Sequence, residues 1–116
     1  MKSYKDIVAY QKAYSLVLEI YKETRLFPDD EKYGLISQMR RASVSMPLNI
    51  AEGYSRRQNP QEFKRFLTIS IGSCNEISVL LELCKDLGYV SQERYERLHA
   101  AYDECGKMLT SYSSKL

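Results

Sequence analysis

Apolar residues recur along this chain at three- and four-residue intervals, and the recurrence is interrupted three times. From about Lys5 to Leu26, Ile7, Tyr10, Tyr14, Val17 and Tyr21 keep that spacing, with Ala13, Leu16 and Ile20 beside them. At 100° per residue such a stripe lies along one side of a helix, so it predicts a core-facing helix. Pro28 disfavours helix at Phe27, and Asp29-Asp30 suit the start of the next one. From about Glu31 to Arg57, Ile36, Met39, Ser43, Met46 and Ile50 form a second stripe. Pro47 lies inside it and removes one backbone donor. The stripe keeps its phase across Pro47, which predicts a kink near Ser43 to Pro47 and not a break.

The third segment has the clearest start. Asn59 suits an N-cap, Pro60 the first helical position and Glu62 the third. Phe63, Leu67, Ser70, Cys74, Ile77, Leu81 and Cys84 follow at alternating spacings of four and three. A second row, Phe66, Ile69, Ser73, Leu80, Leu83 and Leu87, runs alongside and implies contact with more than one neighbouring helix. Gly88 suits the position just past the end. The last segment runs from a Ser91 cap to about Ser113, with Tyr95, Leu98, Tyr102, Cys105, Leu109 and Tyr112 on its stripe. Four long helices with short connections predict an all-α, antiparallel up-down-up-down four-helix bundle, one domain spanning residues 1–116.

Composition fits this picture. With 116 residues and 44% apolar or tyrosine, one core of ordinary size can form. No apolar run approaches the roughly 20 residues needed to cross a bilayer, and the first ten residues lack the apolar stretch of a signal peptide. A cytoplasmic location without membrane contact is therefore expected. Cys74, Cys84 and Cys105 match no zinc spacing and read as reduced core residues. Net charge is +2 but uneven: residues 35–66 hold six Lys or Arg against Glu52 and Glu62. That local excess points to an anionic partner.

Candidate chemistry is sparse. Glu96-x-x-His99 has the form used in bundle di-iron sites, but those need two such elements and His99 is the only histidine. No nucleophile elbow, P-loop or dinucleotide motif occurs. The expectation is no enzyme, no metal site and no cofactor. The least ordinary stretch is a polar edge on the second helix, Gln38, Arg41, Ser45, Asn49, Glu52 and Arg56, beside the small residues Ala42, Ser43, Ala51 and Gly53. It reads either as a solvated face or as a hydrogen-bonded contact between helices or subunits. Glu76 falls on the second row of the third helix and needs a cationic partner, Arg40 or Arg41. Arg40, Arg41, Arg56, Arg57, Lys64 and Arg65 are the candidate phosphate contacts, because guanidinium groups donate paired hydrogen bonds.

Ser37-Gln38-Met39-Arg40-Arg41-Ala42 and Ser45-Met46-Pro47-Leu48-Asn49-Ile50-Ala51-Glu52-Gly53 resemble the signature of the 23S rRNA intervening-sequence protein family. Tyr10-Gln11-Lys12-Ala13, Phe27-Pro28 and Gly72-Ser73 with Glu76 fit its flanks. The resemblance implies a four-helix bundle that assembles as a homo-oligomer, a ring of five subunits. It also implies structural or interface roles for Gln38, Arg41, Ser45, Pro47, Asn49, Glu52, Gly53, Gly72 and Glu76. A related branch, the accessory variability protein of diversity-generating retroelements, implies partners such as RNA or DNA and a reverse transcriptase. Two functions compete: a non-enzymatic nucleic-acid-binding accessory protein and a protein-interaction scaffold without nucleic-acid affinity.

Overall fold

A computed structural model describes all 116 residues. After a short 3-10 turn at Tyr4–Asp6, four helices follow: α1 (Val8–Thr24), α2 (Leu35–Ser55), α3 (Pro60–Asp86) and α4 (Gln92–Ser114). No strand is present. The helices pack side by side into a rod of 44 × 24 × 20 Å, with α2 against α3 as the most extensive seam.

Local chemistry sets the boundaries. The Asn59 side chain accepts the Glu62 N–H at 3.3 Å, and Ser91 accepts that of Arg94 at 3.2 Å. Each satisfies a donor that a helix N-terminus otherwise leaves free. α3 ends in a Schellman turn: the Tyr89 N–H donates to the Cys84 carbonyl (2.9 Å) and the Gly88 N–H to that of Lys85 (3.0 Å), with Gly88 at φ 83°. The expected start of α2 needs correcting: Asp29–Glu31 forms a separate 3-10 turn, Gly34 at the N-cap has no capping side chain, and Glu31 reaches forward to accept the Leu35 N–H at 3.3 Å. α2 runs unbroken through Pro47.

The core is a single cluster. α3 contributes Phe63, Leu67, Cys74, Ile77, Leu81 and Cys84, and α4 contributes Leu98, Tyr102, Cys105 and Leu109. The α1 expectation needs correcting. Its buried row is Ala9, Ala13, Leu16 and Ile20, whereas Tyr10, Val17 and Tyr21 are only half-buried and Tyr14 is exposed. The small Ala9 admits α4 closely, with Cys105 Sγ 3.6 Å from the Ala9 carbonyl oxygen, and this rotates the tyrosine row outward. The α1–α4 seam is closed by ion pairs: Lys12 to Glu104 (2.6 Å), Arg97 to Glu19 (3.0 Å) and Arg94 to Glu23 (3.0 Å).

α3 departs from expectation twice. It is long and apolar enough, by length and composition, to cross a membrane. The sequence hides this because polar residues interrupt every apolar run, while apolar side chains recur on two sides of the helix. In addition, Ile69, Leu83 and Leu87 of its second row stay exposed, so the outer part of that row meets no helix of this chain.

Candidate nucleic-acid interface

The polar edge of α2 lies in the seam with α3. Arg41 pairs with Glu76, the Ser73 hydroxyl donates to Ser45 Oγ at 2.8 Å, and Ser70 donates to the Met46 carbonyl at 3.0 Å. Asn49 Nδ2 stays within α2, donating to the Ser45 carbonyl and hydroxyl at 2.8 and 3.0 Å. The edge is thus a hydrogen-bonded contact between two helices of one chain, with Gln38 exposed at its start. Gly53 closes it. A Cβ at that position would lie 2.9 Å from Phe63 Cδ1 and 3.0 Å from Phe66 Cβ, so only glycine lets α2 and α3 converge here. Pro47 is buried, facing α1.

Where α2 and α3 converge, cations gather. Arg56 donates to Glu52 (3.1 Å) and lies 3.7 Å from Glu62, which also accepts from Arg65 (2.9 Å). Both guanidiniums also sit over the Phe66 ring, at 5.1 and 4.4 Å from its centroid. The hydrogen bond from Arg65 holds the Glu62 carboxyl below the usual carboxylate range. Arg57 lies 4.3 Å over the Tyr54 ring and donates to the Tyr54 carbonyl. Neither Arg57 nor Lys64 has a carboxylate partner. Beneath them Tyr54, Phe63 and Tyr112 form a chain of rings with centroids 6.3 and 5.8 Å apart.

The Tyr112 hydroxyl is 3.8 Å from Met1 Sδ, so both ends of the chain meet at this pole. In an antiparallel bundle the starts of α1 and α3 and the ends of α2 and α4 coincide. Lys2, Lys5 and Lys115 therefore join Arg56, Arg57, Lys64 and Arg65, against Asp6, Glu52 and Glu62. The sequence reading missed these three lysines because they are far from residues 56–65 along the chain. The signal that could have found them is the up-down topology.

Arg40 and Arg41 lie elsewhere. Sixteen residues of helix, about 24 Å, separate Arg40 from Arg56. Arg40 Nε donates to Thr24 Oγ1 at 2.9 Å and its guanidinium covers the Tyr21 ring at 4.4 Å, binding α2 to α1. No group of three or more His, Cys, Asp or Glu side chains converges. Glu96 accepts from Gln92, and His99 leans on Tyr95. Burial pushes the thiols of Cys74, Cys84 and Cys105 up to about 11, 12 and 12, away from reactivity. Gly72 packs on nothing: a Cβ there would meet no atom within 4 Å.

The model of the 23S rRNA-intervening sequence protein family matches residues 5–111. The chain belongs to that family. Among solved structures it is similar to a protein of unknown function from the S23 ribosomal protein family of Bacteroides thetaiotaomicron. Identity is 26% and the TM-score 0.84, over 95% of this chain and 98% of that one. No curated protein matches the chain. The family match takes in α1 to α3, all but the last three residues of α4, the α2–α3 seam and, of the basic pole, all but Lys2 and Lys115.

Proposed function

We propose that this family member is a non-enzymatic, self-assembling helical module of the cytoplasm that binds RNA or DNA through its basic pole. The observation that carries the reading is that the topology brings cations from separate parts of the chain, residues 2–5, 56–57, 64–65 and 115, to one pole of the bundle. Phosphate contacts need several cations at backbone spacing, and sequence-independent affinity follows from the counterions they release. Arg57 and Lys64 are free to make such contacts. Arg56 and Arg65 are held in place by Glu52 and Glu62, which orients them and cancels their net charge, so Arg57, Lys64 and the terminal lysines carry the excess. Tyr54 offers a ring face for an unpaired base once Arg57 swings aside. Assembly, as the five-membered ring the resemblance implies, would multiply this weak single pole by presenting several copies to one polymer.

The test is a salt titration with a structured RNA hairpin and a DNA duplex of similar length. Binding should weaken steeply with salt. A variant combining Arg57→Ser, Lys64→Ser, Lys2→Ser and Lys5→Ser should keep its helical signal and lose at least tenfold in affinity at low salt. Equal affinity in that variant would remove the pole from the reading. A second reading, a protein-interaction scaffold, draws on the same carboxylates: Glu52 and Glu62 already occupy two of the arginines. Failure to shift either polymer at low salt would favour it.

A further inference from the structure

One aromatic ring at the basic pole has no place in the core. Phe66, in the second turn of α3, is half-buried, yet it does not pack on the core cluster as Tyr54 and Tyr112 do. Its Cβ lies against the backbone of α2, where Gly53 leaves no side chain in the way. What meets the ring is charge. The Arg65 guanidinium lies 4.4 Å from its centroid and that of Arg56 5.1 Å. Glu62 holds both arginines there, accepting from Arg65 at 2.9 Å and lying 3.7 Å from Arg56. Tyr54, next to Gly53 in the chain, repeats the arrangement with Arg57 4.3 Å from its ring. Two rings, each covered by guanidinium, therefore stand at the end of the α2–α3 seam.

A guanidinium and a nucleobase are both flat, and both stack on an aromatic face. Magnitudes decide which of them keeps the place. An exposed cation–π contact is worth about two- to fivefold in an equilibrium. A base stacked on an aromatic side chain is worth about five- to 150-fold in affinity. A base thus displaces the guanidinium from the ring, and the arginine stays beside it, tethered by its carboxylate. The balance of charge points the same way. With Arg56 and Arg65 neutralised by Glu52 and Glu62, phosphate contacts fall to Arg57, Lys64 and the terminal lysines. So small a set gives modest affinity by counterion release. Stacking adds to it only where base faces are open, and a duplex keeps its base faces inside the stack whereas single strands splay them out.

We propose that Phe66, flanked by Arg56 and Arg65, is a stacking platform for an unpaired nucleobase, so that the basic pole takes single-stranded RNA or DNA in preference to duplex. The proposal rests on reading the pole as a nucleic-acid site, and it adds which form of nucleic acid that site takes. Charge alone gives the opposite order, since a duplex carries the denser array of phosphates. The sequence of the strand is not read, because every base has a face to stack.

The test measures fluorescence anisotropy of labelled oligouridine and oligothymidine, each about 12 nucleotides long, with the full chain at low salt. The comparison is a blunt duplex of about 30 base pairs, long enough that its two end faces count for little against its phosphates. One or both single strands should bind more tightly per site than the duplex, by about tenfold or more, and the better of the two tells RNA from DNA. Phe66→Leu should lose about five- to 150-fold toward the single strand while keeping its duplex affinity and helical signal. Phe66→Tyr, which restores a ring, should bind as the wild type does. A strand carrying 5-iodouracil should cross-link to Phe66 on irradiation. If Phe66→Leu does not fold, Phe66→Met, closer in volume, takes its place. A duplex bound as tightly as either strand, or undiminished single-strand affinity without the ring, would overturn the platform and leave the pole as a phosphate site. A Phe66→Leu protein whose mass by light scattering drops below that of the wild type would also defeat it, by making the ring a contact between copies. Absence of binding to all three polymers would remove the nucleic-acid reading of the pole and this inference with it.

Discussion

At Gly53 a single missing methyl group sets how closely two helices approach. Gly53→Ala would push Cβ into Phe63 and Phe66, and we expect a loss of about 1–3 kcal/mol, read as a lower urea midpoint with unchanged slope. Tyr102 presents the opposite case. It is fully buried, its hydroxyl has no hydrogen-bond partner, and burial holds the phenol protonated well above its ordinary range. Tyr102→Phe should therefore be neutral or stabilising by up to about 1 kcal/mol; a loss larger than that would mean the hydroxyl has a partner. The three thiols predict a pH dependence. Their folded values, about 11 to 12, lie above the ordinary value near 9, so between about pH 8.5 and 12 the unfolded chain holds fewer protons than the folded one. Stability must fall as pH rises through that window. Urea midpoints taken from pH 7 to 10 should decline at the upper end, and a Cys74→Ala, Cys84→Ala, Cys105→Ala variant should show a shallower decline.

Among the elements, α3 organises the rest. It makes the seam with α2, shares the core with α4 and presents the outer row. Its two ends are chemically explicit, and both were readable: Asn59-Pro60 at the start and Gly88 at the stop. Gly88→Ala should cost about 1–2 kcal/mol through backbone strain alone, because φ is 83° and no atom lies within 4 Å of the added carbon. Asn59→Ala should cost about 1 kcal/mol through the lost cap. Thermal midpoints of the two variants and of the double variant check both values and, since the sites are at opposite ends, their additivity. Other parts of the elements were less legible. The α1 sequence has an apolar arc wider than one stripe, and periodicity alone cannot say which edge of a wide arc turns inward. The α2 polar edge was recognised as unusual, but its partners Ser70, Ser73 and Glu76 sit on another helix, and only packing brings them opposite.

For the whole molecule, polarity is the result of topology. An up-down bundle folds residues 2–5, 56–65 and 115 onto one pole, while Asp29, Asp30, Glu31, Asp86 and Glu93 fall at the other, nearly balanced by Arg25, Lys32, Lys85 and Arg94. At that second pole the Tyr89 hydroxyl donates to Glu31 at 2.9 Å and its ring meets Phe27 at 5.2 Å, tying the α1–α2 connection to the α3–α4 connection. If copies associate, the thermal midpoint of the wild type should rise with protein concentration, because association stabilises only the folded chain. Scanning fluorimetry over a hundredfold concentration range measures it.

Helix number and order, and the caps of α3 and α4, were set by the sequence, since each depends on neighbours within a few residues: a turn of apolar spacing, an Asn-Pro start, a glycine stop. The family signature was legible for the same reason, being a contiguous run. The tertiary structure decided which edge of α1 faces inward, which arginines are engaged by carboxylates and which distant lysines share a pole with them. It also decided which apolar side chains of α3 and α1–α2 remain uncovered. Those properties depend on distances between residues far apart in the chain, and no local pattern encodes them until the helices are packed.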